Sequence, residues 1–191
     1  MINTIEDGTG TGYKAQVDSS NRLRTLAITE NAVNASNANG DSYNINTGNI
    51  TISAASGLLY YKHLEESPLI VTNFAVGIKT ASTNNLPVVT VYRNPTTGTL
   101  ISNATDVDMN VNRNFGSNKT LSSSLAYKGT SGATITDGTA LGIFYQSSGG
   151  RLFASLNIQL NKGSSIAFHI DPDLSSGSAV VYCALIGYTK L

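Results

Sequence analysis

Short runs of alternating apolar and polar residues, separated by clusters of Gly, Ser, Asn and Asp, make up most of this chain. In RLFASLNIQL, Leu152, Ala154, Leu156, Ile158 and Leu160 alternate with Arg151, Phe153, Ser155, Asn157 and Gln159. A period of two places one row on each face of a half-buried antiparallel strand. In LIVTNFAVGIK the same rule puts Ile70, Thr72, Phe74, Val76 and Ile78 on one face. LLYYK, PVVTVYRN and LGIFYQ are further runs of this kind. No window of a dozen residues repeats apolar positions at the spacing of an amphipathic helix, so helix is expected in at most one or two short turns. Roughly eight to ten strands at this rhythm predict an all-β fold, an antiparallel β-sandwich or jelly roll.

Two stretches sharpen that expectation. In YNINTGNITIS the apolar parity flips between Ile45 and Ile50, with Thr47 and Gly48 between them, which predicts a bulge or tight turn. Near the end, SIAFHIDP points Ile166, Phe168 and Ile170 one way and Ala167, His169 and Asp171 the other, and Pro172 stops the strand. AVVYCALIGY is apolar on both faces, as for a strand covered on both sides, so Cys183 reads as a small buried hydrophobe. Leu152, Leu156, Ile158, Phe168 and Ile170 are the expected core.

The head of the chain has another texture. GYKAQVDSSNRLRTLAIT is compatible with a small hairpin turning at DSSN, whereas ENAVNASNANGDS is polar and poor in core formers. The expected division is an extended N-terminal arm and linker over residues 1–42, followed by a sandwich over residues 43–191. A free arm of this composition does not offset its ordering entropy, so its natural partner is another chain. Within it Tyr13, Lys14, Arg22, Leu23 and Arg24 are the candidate partner contacts. Arg22 and Arg24 alternate across Leu23, and guanidinium groups suit bidentate pairing with carboxylates.

Composition narrows the function classes. Twelve Lys plus Arg balance twelve Asp plus Glu, and 13% of residues are charged, against roughly 25% in ordinary soluble domains. No basic excess recruits nucleic acid. Ser, Thr and Asn supply about a third of the chain, keeping the surface wet through neutral hydrogen-bonding groups. A single cysteine excludes an intrachain disulfide. MINTIEDGTGTGYK lacks the apolar segment of a secretory signal, and no run approaches a membrane helix. The expectation is synthesis in a cytoplasm, without membrane association.

Candidate chemistry is sparse. Asp106, Asp108, Asn110, Asn112 and Asn114 recur at every second position, which invites a calcium loop. Val111 stands where such a loop needs glycine and Ser117 where it needs glutamate, so the series reads as the solvated face of a strand with Val107, Met109, Val111 and Phe115 behind it. His63, Glu65 and Glu66 in KHLEESP lack a second ligand cluster and read as a charged hairpin turn. A nucleophilic pairing of Cys183 with His169 would need an electropositive, partly open setting that the apolar run does not supply. DGTGTG and DGTA are too short for phosphate loops and read as turns. No catalytic residue, cofactor or metal is expected.

Two segments carry a resemblance. IEDGTGTGYKAQVDSSNRLRTLAITE with YNINTGNITIS resembles the opening of small virion proteins of tailed bacteriophages, and NKGSSIAFHIDPDLSSGSAVVYCALIGY is similar to the final hairpin of phage jelly-roll decoration proteins. The likeness covers roughly the first fifty and last thirty residues; the middle matches only in strand rhythm. It implies a non-enzymatic virion structural protein, often a homotrimer, seated on the major capsid protein or neighbouring virion subunits. The leading expectation is a capsid decoration (cement) protein that stabilises a phage head through its arm and through self-association. The alternative is a fibre or receptor-binding knob of the same particle that binds host glycans. A glycan-active enzyme is disfavoured, because the one clustered carboxylate pair, Asp171 and Asp173, lies in a turn.

Overall fold

The computed structural model describes residues 3–6, 14–17, 32–80, 86–107, 112–146, 150–174 and 176–189. They belong to two units, Met1–Asn31 and Ala32–Leu191. In the first, β1 (Asn3–Glu6) pairs antiparallel with β2 (Lys14–Val17), Asn3 opposite Val17 and Glu6 opposite Lys14. The pairing therefore joins the stretches before and after DGTGTG. The segment expected to turn at DSSN lies outside the described residues.

The second unit starts with α1 (Ala32–Asn39), in the stretch whose composition suggested linker. Its end explains the helix. Gly40 sits at φ 74, the left-handed conformation that glycine adopts without penalty. Gly40 N donates to Asn37 O at 3.3 Å and Asp41 N to Ser36 O at 2.7 Å, the paired bonds of a Schellman stop. Asp41 is buried and its carboxylate takes the Lys119 ammonium at 2.8 Å. The next strand, β3 (Ser42–Asn46), begins at once.

The remaining strands are β4 (Ile50–Ile52), β5 (Ser56–Lys62), β6 (Leu69–Thr80), β7 (Val88–Arg93), β8 (Thr105–Asp106), β9 (Leu125–Lys128), β10 (Thr139–Tyr145), β11 (Arg151–Leu160), β12 (Ser165–Asp171) and β13 (Ala179–Thr189), with a one-turn helix α2 (Thr99–Ser102). They build two antiparallel sheets. One runs β10-β7-β12-β5-β9-β8; in the other, β11-β6-β13-β3, β4 also pairs with β13. The sheets pack as a sandwich, as the period-two runs predict. Phe74 of β6 meets Phe144 of β10 and Phe168 of β12, each with ring centroids 5.1 Å apart, so the aromatic centre of the core spans both sheets. Ile166, Phe168 and Ile170 face this core, and Val181, Cys183 and Leu185 meet it from β13.

Departures from simple alternation have local causes. In β6, Ile186 lies opposite Asn73 and Gly187 opposite Val71, so Thr72 is an extra residue. The inward face consequently switches from Leu69 and Val71 to Phe74, Val76 and Ile78, and the five even positions do not share one face. Leu152, Leu156 and Ile158 are half-buried rather than fully enclosed, because β11 is an edge strand with a neighbour on one side only. Phe115, expected behind the acidic strand face, is fully exposed, since β8 ends at Asp106. Between β3 and β4 the chain breaks at Gly48, φ 65. There Thr47 Oγ1 accepts Cys183 N at 3.0 Å and keeps the ladder to β13 occupied across the break.

Candidate functional site

Of the expected partner contacts, Tyr13, Arg22, Leu23 and Arg24 lie outside the described residues, and Lys14 opens β2. Asp108, Met109, Asn110 and Val111 of the alternating series also lie outside the described residues. His63 is fully buried instead of standing on a charged turn. Its Nε2 lies 2.8 Å from Ser67 O, and a carbonyl oxygen only accepts, so Nε2 carries a proton. In the neutral ring Nδ1 then accepts the Tyr61 hydroxyl at 2.8 Å. Burial raises the Tyr61 phenol above its ordinary range, so that hydroxyl stays a donor. Glu65 Oε1 accepts from Ser123 N at 2.9 Å and from Ser124 N at 3.1 Å. Ser124 Oγ in turn accepts Leu64 N at 3.0 Å. Glu65 and Ser124 clamp the β5–β6 connection onto the segment before β9, and His63 ties that connection to β5.

Cys183 is buried in the core, and desolvation pushes its thiol well above the ordinary value. That holds it protonated and unreactive. Its backbone, not its sulfur, carries the polar contacts, to Thr47. Asn112 and Asn114, read as strand-face residues, serve helix α1. Asn112 Nδ2 donates to Gly40 O at 2.6 Å, and Asn114 Nδ2 donates to Ala38 O at 2.9 Å. Asn114 thus satisfies a carbonyl that the helix end leaves open, and Asn112 holds the carbonyl of the glycine just past it. Asp171 Oδ1 accepts Asp173 N at 3.0 Å within a turn. Among the described residues no group of three or more His, Cys, Asp or Glu is gathered to hold a metal.

What the sequence did not single out is the outer face of the six-stranded sheet. On its β12–β5–β9 part the row Ala167, Tyr60, Tyr127 is roofed by Leu100 of α2 and by Ala133, which with Tyr60 and Ala167 form a second buried cluster. Tyr60 and Tyr127 stack at 5.8 Å. Two backbone bonds pin the roof, Gly57 N to Ala133 O at 2.6 Å and Gly129 N to Leu58 O at 3.0 Å. The roof reaches Tyr92 of β7 and leaves the rest of the β10–β7–β12 part open. Register places Ile143 beside Thr90 beside His169 in one row, and Tyr145 beside Val88 beside Asp171 in the next. Ile143 and Tyr145 are 58% and 69% exposed on this face. Val88, Thr90 and His169 are half-buried. Burial lowers the affinity of His169 for a proton, and Asp171 partly opposes this. Leu141, the extra residue of β10 and 44% exposed, instead lines a cavity of about 280 Å³ shared by the two sheets, with Ile158 and Leu160 of β11, Arg93 of β7 and Ile166 of β12. The available signal was LGIFYQ itself, which is apolar at both parities on a strand that proves to be an edge.

No family model matches the chain, and no curated protein matches it. Among solved structures it is similar to VP2 of infectious bursal disease virus. A mutant VP2 in derived T=1 particles is 15% identical, at TM-score 0.21, over 98% of this chain and 44% of that one. The Gt strain structure is 13% identical, at TM-score 0.19, over 100% and 46%. A VP2 subviral particle is 15% identical, at TM-score 0.19, over 99% and 47%. The chain spans less than half the length of these proteins. Superpositions this loose establish neither a shared fold nor a shared function.

Proposed function

We infer that this chain is a non-enzymatic structural protein of a virion, made in the host cytoplasm, and that it decorates a phage capsid by binding the major capsid protein and copies of itself. The observation that carries this reading is the division of the chain at Asn31 and Ala32 into a short N-terminal unit with its own hairpin and a sandwich with its own core. A short hairpin is marginal by itself in water. Its stabilising partner, in this reading, is the neighbouring virion subunit. The engagement of His63, Glu65 and Cys183 in structural contacts supports a role without chemistry. So does the resemblance of the head and tail segments to phage virion proteins.

The test compares the full chain with one beginning at Ala32, mixed with undecorated heads. Cutting at Ala32 spares α1 and the Asp41–Lys119 ion pair, whereas a cut after residue 42 removes both and the first residue of β3. The full chain is expected to bind in hundreds of copies per particle, and the shortened chain to keep its fold and lose occupancy. Equal occupancy of the two chains, or a few copies at a single site, overturns the reading.

A further inference from the structure

The cavity shared by the two sheets carries a charge that no internal contact answers. Register explains its position. Val89 and Val91 of β7 face the core, and Arg93, two residues on, lies directly opposite the core residue Ile166 of β12. Residues paired in this way share a face, so Arg93 projects to the inner side of its sheet at the end of the strand, where it lines the cavity. Among the described residues its guanidinium has no hydrogen bond or ion pair, and no carboxylate lines the space around it. The neighbouring amide is turned to the same effect. Asn94 Oδ1 accepts Ser165 N at 3.0 Å, which leaves both Nδ2 hydrogens uncommitted. Arg93 and Asn94 are exposed, whereas Leu160 and Ile166 are buried, so a cation and free amide N–H groups stand at the mouth of an apolar interior.

We propose that this cavity binds a small aliphatic carboxylate, with the chain between the sheets and the carboxylate on Arg93 and Asn94. Charge selects the head group. A carboxylate offers the paired acceptors that a guanidinium takes bidentately, and it meets no acidic side chain in the lining. The lining selects the body. Leu141, Ile158, Leu160 and Ile166 are all aliphatic, and no aromatic ring joins them. A sugar therefore has no ring face to stack on, whereas a saturated chain is met by side chains of its own kind. Size selects the length. The cavity of about 280 Å³ holds roughly nine non-hydrogen atoms at ~30 Å³ each, the size of heptanoate.

This site is independent of which particle the protein decorates, and it is tested on the isolated full chain with heptanoate as the probe. Titration followed by amide NMR is expected to move the signals of Ile158, Leu160 and Ile166 with a Kd below about 1 mM. Heptan-1-ol, which lacks the charge, and acetate, which lacks the chain, should each bind at least roughly tenfold more weakly. Arg93→Ala should weaken heptanoate at least roughly tenfold and leave heptan-1-ol within about threefold, because only the carboxylate uses the guanidinium. Leu141→Trp, at a position 44% exposed, should fill the cavity and weaken heptanoate at least roughly tenfold, with melting unchanged. A Kd above about 1 mM, heptanoate no tighter than heptan-1-ol, shifts confined to other strands, or undiminished binding by either variant each overturns the proposal.

Discussion

The outer face of the six-stranded sheet is two surfaces in one. Around Tyr60 and Ala167 it is closed by Leu100 and Ala133, with backbone bonds pinning the roof to Gly57 and Leu58. Around Ile143 and Tyr145 on β10, two strands from Ala167 and three from Tyr60, equally apolar side chains face water. Strand composition does not separate the two; the position of one loop does. The segment from Gly129 to Asp137 and the short helix α2 cover β9, β5 and β12, reach Tyr92 of β7, and leave β10 bare. The lesson is that an apolar strand face specifies that something must cover it, and only the connections determine whether the cover is internal.

The difference can be broken from its closed side first. A Cβ on Gly129 would lie 1.8 Å from the Gly57 carbonyl oxygen, a backbone atom that cannot yield. Gly129→Ala is expected to lift the roof at a cost of about 3 kcal/mol or more, measured by urea unfolding, with Tyr60 newly open to solvent quenching. Leu100→Ala removes the largest roof side chain and should cost about 2–4 kcal/mol in the same measurement. On the other sheet, Leu156→Ala should cost about 1–2 kcal/mol, less than a fully enclosed leucine, because β11 leaves it half-buried. On the open side, Ile143→Lys should change the stability of the diluted protein by no more than about 0.5 kcal/mol. A large loss there would mean that the open surface is covered internally after all.

The smallest effect is a titration at the edge of the roof. Asp137 accepts Thr96 N at 2.8 Å and Thr97 N at 2.9 Å, in addition to the Thr96 hydroxyl. These bonds, led by that from the Thr96 side chain, lower its carboxyl from 3.8 to about 2. A depressed carboxyl contributes stability above its unfolded value and loses it as pH falls through the folded one. The contribution should therefore be full above pH 3.8 and fade towards pH 2. Carbon-detected NMR of the Asp137 carboxyl should show the low midpoint, and Asp137→Asn should remove this step from the acid limb of the stability curve.

The parts of this molecule legible in its sequence are those that repeat. Alternation in β11 and β12 and the doubly apolar β13 were readable because a strand's two faces are written in every second residue. So was the inert burial of Cys183. Single insertions were not. Nothing in LIVTNFAVGIK marks Thr72 as an extra residue, because the shift is defined by pairing with Ile186 and Gly187 more than a hundred positions away. The roles of Asn112 and Asn114 were hidden for the same reason, since their partners are the carbonyls of Gly40, just past helix α1, and of Ala38, within it, far upstream. Helix α1 was missed although Asn39-Gly40 is a readable stop signal, because the stretch before it has no apolar stripe to announce a helix. The open apolar face escaped notice because LGIFYQ looks the same whether its outer row is roofed or bare.

The position of β13 has a consequence for how the protein is made. This strand lies between β3 and β6, and Thr189 meets Asp41 across 148 positions of chain. On a ribosome β3 and β4 therefore wait, without their central neighbour, while the intervening residues emerge, an interval of roughly 7–30 seconds at ordinary elongation rates. Pairings so distant also close slowly once available. During that interval Ile45, Ile50 and Ile52 are unsheltered, which makes the nascent chain, more than the finished one, the form in which self-aggregation and chaperone binding should be sought.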